Sequence, residues 1–141
     1  MSFENIFGIA GTALNAQMVR LNATASNLAN AWTEASTPEK AYKAKRTVFE
    51  ALLSKELTHR GADYVGGVKV SKMIDDRSPN VKVHNPSSPL ADQEGFVYQS
   101  NVNEVTEMVE MMGAARSYKN NVEVVNTARA LMMRTLDIIK A

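Results

Sequence analysis

The chain contains no cysteine, which excludes disulfides, thiolate metal ligands and thiol nucleophiles together and leaves its stability to packing. It also lacks an excess of either charge: 16 basic and 15 acidic side chains leave a formal net charge of +1. That balance sets up no long-range field toward nucleic acid or anionic lipid. Long hydrophobic runs are missing as well. Asn5 to Val19 carries no charge, yet Asn5, Gly8, Gly11, Thr12, Asn15 and Gln17 make it too polar and too short to span a bilayer. A cleavable secretory signal needs basic residues ahead of a solid apolar block, whereas Glu4 is the only early charge here. If the protein leaves the cytoplasm, another route is expected.

The residues that carry chemistry are sparse and badly spaced for it. His59 and His84 are the only histidines, and neither has a second ligand at metal spacing. Asp75 and Asp76 are adjacent, so on a strand they would face opposite ways, and a turn is the simpler reading. Gly66 and Gly67 stand alone, with no phosphate-binding fingerprint around them. Lys43, Lys45 and Arg46 form the densest basic patch, but Glu39 and Glu50 flank it and only Tyr42 accompanies it. The expectation is a protein that is not an enzyme, with no catalytic residue, no cofactor and no metal, and with no nucleic acid among its partners.

What the chain does have is a seven-residue apolar repeat at each end. Phe7, Leu14, Leu21 and Leu28 recur near the start, and Met108, Ala115, Val122 and Leu136 recur near the finish beside Met111, Tyr118, Val125, Met132 and Ile139. Such spacing keeps one seam facing a partner helix. The first segment, Phe3 to Ala31, predicts a rod of roughly 43 Å if wholly helical, and the last, opening at Asn101 or Asn103 and running to Lys140, one of roughly 55 Å. In the last segment Glu104, Glu107 and Glu110 precede Arg129, Arg134 and Lys140, which complements the helix dipole. Gln17, Thr24 and Arg129 interrupt the seams with polar groups that can fix register.

The middle is punctuated by Pro38, Gly61, Gly66, Gly67, Pro79, Pro86 and Pro89, which break it into short pieces. Val65 to Met73 reads as a half-buried strand, with Val81, Val83 and Gly95 to Tyr98 as partner strands and Ser78 to Asp92 as an extended loop. Val48 to Thr58 fits a helix and a strand about equally. The expected fold class is mainly α: long N- and C-terminal helices pairing as a coiled coil around an irregular, short-stranded middle. The expected division is residues 1–31, 32–103 and 104–141, together one rod-core domain. The thirteen seam residues from Phe7 to Ile139 are the expected assembly interface, because an apolar stripe on an isolated helix gains most of its stability by being covered.

The run Ala25, Ser26, Asn27, Leu28, Ala29, Asn30 and Ala31, with Thr33 after it, resembles the signature that ends the N-terminal helix in the flagellar axial family of rod and hook proteins. Supporting stretches are Ser2 to Phe7, Ile9 to Gly11, Gln17 to Asn22, Tyr42 to Phe49, Pro89 to Val97, Asn101 to Asn103 and Met108 to Met133, so the resemblance covers nearly the whole chain. Arg116, Ser117, Tyr118, Asn121 to Val124, and Asn126 to Ala128 carry it most clearly. The chain departs from the family's usual residues at Trp32, Thr47, Ser88 and Ser100. The resemblance implies a structural subunit of the proximal rod, exported through the flagellum's own type III apparatus without signal cleavage and located in the basal body across the periplasm. It implies as partners further copies of the chain, the rod proteins FlgB, FliE, FlgF and FlgG, and the export apparatus. Two rival readings are a cytoplasmic helical adaptor or export chaperone and a cell-wall hydrolase; the second lacks a carboxylate placed for hydrolysis.

Overall fold

A computed structural model describes residues 3–52 and 66–140; His59 and the second half of the ambiguous piece, residues 53–58, lie outside them. Among the described residues, two helices precede and follow a set of short strands in chain order. Helix α1, Phe3–Ala29, and helix α2, Glu104–Lys140, have 27 and 37 residues, about 40 and 55 Å at 1.5 Å per residue. Between them run β1 (Glu34–Ala35), β2 (Lys45–Ala51), β3 (Val68–Asp75), β4 (Val81–His84) and β5 (Phe96–Gln99). The described residues are therefore roughly half helical, with one small sheet of three strands and a second of two, β2 and β3. Among the described residues no helix is long and apolar enough to cross a membrane.

Both inner helix ends are set by asparagine. At the exit of α1 the Asn30 backbone N–H reaches the carbonyls of Ser26 and Asn27, both at 3.1 Å, and its side-chain amide donates to Ser26 O at 2.8 Å. Those tightened bonds stop the helix two residues short of the expected Ala31. At the start of α2, Asn103 Oδ1 accepts the Thr106 backbone N–H at 3.0 Å, a bond that satisfies one of the four donors a helix leaves open.

The described residues pack into two compact units, each assembled from separate stretches of chain. The first comprises Met1–Val19, Val48–Lys72 and Gly113–Ala141. Its buried positions are mostly small, with Ala10, Ala16, Ala114, Ala128 and Leu52. Phe3 and Ile6 of α1 line one open, apolar cavity of about 340 Å³ with Val124, Thr127, Ala128 and Leu131 of α2. The start of β3 docks on α1 through Thr12, whose Oγ1 donates to Ile9 O at 2.7 Å and accepts the Val68 N–H at 3.2 Å. Gly67 makes this approach possible: its φ is +133°, and a Cβ there would lie 2.8 Å from Thr12 Oγ1. The Val48 to Thr58 ambiguity resolves as strand through Ala51, and Leu52 N–H then bonds Gly67 O at 2.9 Å.

The second unit comprises Arg20–Thr47 and Met73–Met112. A three-stranded antiparallel sheet, in the order β1, β5, β4, sets Glu34 opposite Gln99 and Ala35 opposite Tyr98 on one side, with Val81 to His84 opposite Gln99 to Phe96 on the other. Val97 is its fully buried member. β1 has no counterpart among the expected strands, and β4 divides the expected Ser78 to Asp92 loop. Rather than lying in a loop, His84 sits on β4 with its ring edge-on to Phe96, centroids 5.0 Å apart, and Lys82 Nζ lies 4.0 Å from the same ring's centre. That cross-strand neighbourhood follows from the register.

Candidate functional site

The motif at the end of α1 forms a polar clamp inside the second unit. Asn27 is fully buried, and its amide makes four hydrogen bonds. Its Nδ2 donates to Lys45 O at 3.0 Å and to Glu107 Oε2 at 2.9 Å; its Oδ1 accepts from Lys45 N at 2.8 Å and from Tyr42 Oη at 3.0 Å. An amide can make no more than about this number. Lys45 therefore receives from a side chain the pair of main-chain bonds that a neighbouring strand would otherwise supply. Ser26 Oγ lies 3.1 Å from Tyr42 Oη, so two motif residues address the same tyrosine.

Glu107, on the first turns of α2, is also fully buried. A lone buried carboxylate would be costly; here one oxygen takes the Asn27 amide and the other takes Arg46 Nη1 at 2.5 Å. Arg46 continues to Asp76, 3.6 Å from its Nε. Asp76 is held below the usual carboxylate range chiefly by the Ser78 backbone N–H, then by the Ser78 hydroxyl and Arg46. Arg20 of α1 pairs with Glu110 of α2. Because 20 meets 110 while 27 meets 107, the two helices run in opposite directions in this unit. Around the clamp, Asn101 Oδ1 accepts Ala44 N–H at 2.7 Å, Asn80 donates to Tyr42 O and Gln99 O at 2.9 and 3.0 Å, and buried Ser100 donates to Ala31 O at 2.6 Å.

The remaining predicted site residues divide by exposure. Phe7, Leu14, Leu21 and Leu28 are half-buried, as are Met111, Tyr118, Val122, Val125 and Met132. Met108, Ala115, Leu136 and Ile139 are exposed, Met108 and Ile139 at 52% and 75%. Within the motif Asn27 is buried, Ser26, Leu28 and Asn30 are half-buried, and Ala25 and Ala29 are exposed. Thr24 is buried with its hydroxyl turned back onto Arg20 O and Leu21 O, so its polarity is satisfied inside its own helix. The fully buried positions of α2, Glu107, Ala114 and Ala128, form their own seven-residue row, one position ahead of Met108 and Ala115. Sequence reasoning missed Glu107, Arg46 and Tyr42 as a set; the one signal for them was the motif that contains Asn27.

The sequence stretches that carry this arrangement match those of known proteins. Residues 7–34 match the family profile described as "Flagella basal body rod protein", and residues 93–138 match "Flagellar basal body rod FlgEFG protein C-terminal". These two stretches hold the clamp's Asn27 and Glu107 and define the class, a structural protein of the flagellar basal-body rod and not an enzyme. Over 138 residues the chain is 46% identical to the flagellar basal-body rod protein FlgC of Escherichia coli O6:H1 and 44% identical to that of Yersinia enterocolitica, with 98% of both chains covered in each case. The FlgC of Bacillus subtilis is 32% identical over 151 residues, covering 99% of this chain and all of the relative. The chain belongs to the FlgC family of flagellar basal-body rod proteins. Its place is the flagellar basal body, in assembly with other basal-body proteins.

Proposed function

We propose that the chain is a subunit of the proximal rod, assembling helically through its terminal helices as coiled coils and carrying motor torque across the periplasm. Its contacts in this reading are further copies of itself and the rod proteins FlgB, FliE, FlgF and FlgG, and it reaches the rod through the flagellar type III apparatus without signal cleavage. Residues 1–31 and 104–141 supply the coiled-coil core and 32–103 the segment between, with the thirteen seam residues from Phe7 to Ile139 as subunit contacts.

One observation carries most of the support. Helix α2 leaves Val105, Met108, Val109, Met112, Leu131, Met133, Leu136, Ile138 and Ile139 exposed, from 42% to 77%. Large apolar side chains left in water on this helix, from Val105 to Met112 in the second unit and from Leu131 to Ile139 in the first, support contacts with other subunits. A head-to-tail contact that does not close into a ring propagates as a helix, which is the geometry a shaft requires.

The exposed seam residues give the cleaner test. Leu21→Asp and Val122→Asp would disturb half-buried positions within the subunit as well as any contact between subunits. Leu136→Asp and Ile139→Asp touch side chains that the isolated chain leaves in water, so folding and expression should persist. In an assembled shaft each would bury an unpaired carboxylate at a cost of several kcal/mol. The double variant should fail to enter basal bodies and leave cells non-motile; normal swimming with normal incorporation would refute the reading.

A further inference from the structure

We propose that Asn27 and Glu107 form a register lock whose closure depends on the middle segment, so that α1 and α2 adopt one fixed pairing only after residues 42–46 have folded onto them. The value of such a lock for assembly rests on the rod reading above; the lock itself is a property of the single chain.

The bonds between the two helices are few and polar in this unit. Asn27 to Glu107 and Arg20 to Glu110 join them directly. Of the four bonds that Asn27 makes, one goes to α2, while three go to Tyr42 and the Lys45 backbone. Among the described residues the cation paired with Glu107 is Arg46, on the same stretch. With residues 42–46 in place every polar atom of the clamp is partnered. Without them, closing the helices at this level would bury an amide stripped of three partners and a carboxylate stripped of its counter-charge. Stranded groups of that kind oppose the structure that buries them, so the same two residues that favour the pairing in the folded unit disfavour it beforehand.

An apolar pair at positions 27 and 107 would behave differently. Two leucines would let the helices associate as soon as they met, in whichever register buried most surface, because apolar contact is non-directional. A single buried polar position is the best-attested means of fixing register in paired helices, at some cost in stability. Here its partners are distributed over three elements. The surrounding bonds of Asn101 and Asn80 to the backbone at Ala44 and Tyr42 hold the deciding stretch in the conformation that Asn27 reads.

The absence of cysteine makes the test direct, since introduced cysteines are the only labelling sites. Spin labels at Asn22→Cys and Met112→Cys, exposed positions on α1 and α2 within the same unit, report the pairing as a distance distribution in the full-length monomer. The parent should give one narrow peak. Lys45→Pro removes the N–H that Asn27 Oδ1 accepts while leaving both helices unaltered, and Pro is tolerated at the first residue of a strand. It should broaden the peak or displace it by about one helical turn, roughly 5.4 Å, with helical circular dichroism retained. Asn27→Ala should do the same. Arg46→Met, which leaves the backbone intact, keeps the test decisive if Lys45→Pro unfolds the unit. Ser100→Ala deletes a buried hydrogen bond elsewhere in the unit and should lower stability without moving the peak. An unchanged narrow peak in Asn27→Ala together with Arg46→Met would overturn the lock, as would equal broadening in Ser100→Ala. If the peaks respond as expected while the Leu136→Asp, Ile139→Asp double variant enters basal bodies and swims normally, the lock stands and the proposed assembly through the terminal helices falls.

Discussion

Replacing Gly67 by alanine should be among the most damaging small changes in the chain, and its cost can be built from the geometry. At φ +133° an L side chain is strained by about 1–3 kcal/mol. The added Cβ would stand 2.8 Å from Thr12 Oγ1, and Thr12 cannot simply turn away, because that oxygen is fixed by Ile9 O on one side and the Val68 N–H on the other. Moving it forfeits two hydrogen bonds worth about 1 kcal/mol each. Against this, alanine restricts the unfolded chain and returns about 0.4–1 kcal/mol. The net loss is about 2–5 kcal/mol, a shift of about 1–2.5 M in the urea midpoint for ordinary denaturant sensitivity. The local readout is hydrogen exchange at the Val68 amide, which should accelerate by at least tenfold. In a Thr12→Ala background the same replacement should cost less, since the collision and both bonds are already gone. A Gly67→Ala protein with an unchanged midpoint and a still-protected Val68 amide would refute the reasoning. So would an equal cost in the two backgrounds.

Other substitutions have expected outcomes of either sign. Gly11→Ala meets nothing within 4 Å of its new Cβ and lies inside α1, so it should stabilise the monomer by about 0.5–1 kcal/mol in urea titration. Ser100→Ala removes the buried donor to Ala31 O and should cost about 1–3 kcal/mol by the same assay. The Asp76 carboxyl is depressed in the folded chain by the Ser78 N–H, the Ser78 hydroxyl and Arg46. Its contribution is therefore complete above the ordinary value of 3.8 and is lost as pH falls toward the lowered folded value. Asp76→Asn should accordingly narrow the difference between urea midpoints measured at pH 6 and at strongly acidic pH, and an unchanged difference would count against that linkage.

The terminal helices were legible because a seven-residue apolar repeat runs through each and, in the second, an asparagine start and the acidic-to-basic order of charges agree with it. For α2 the second of the two expected start positions, Asn101 and Asn103, supplies the cap, and the acidic first turn is present. The strands were legible where valines alternate, as at Val81 and Val83, and invisible where they are too short to show a period, as at Glu34–Ala35. The deepest positions escaped for a different reason. Periodicity equates burial with apolarity, yet Asn27 and Glu107 are buried as a mutually satisfied polar pair. Alanines, not large side chains, fill much of the rest of the buried row. Small residues let backbones come close while contributing little to an apolar count. Lys45 and Arg46 read as a solvated basic patch because nothing in their own neighbourhood reveals a carboxylate sixty residues away.

Each unit draws on distant stretches of the chain, and the first needs residues from Gly113 onward to be complete. A polypeptide that emerges N-terminus first therefore presents most of its length before its earliest residues can meet their last companions. Contacts between such remote positions form slowly, because the intervening loop must close first. The wiring diagram itself delays the first unit, whose assembly waits on the C-terminal stretch, whereas the second has all its segments once Met112 has appeared. Truncation from the C-terminus should, for the same reason, dissolve the surroundings of Phe3 and Ile6 at the opposite extremity.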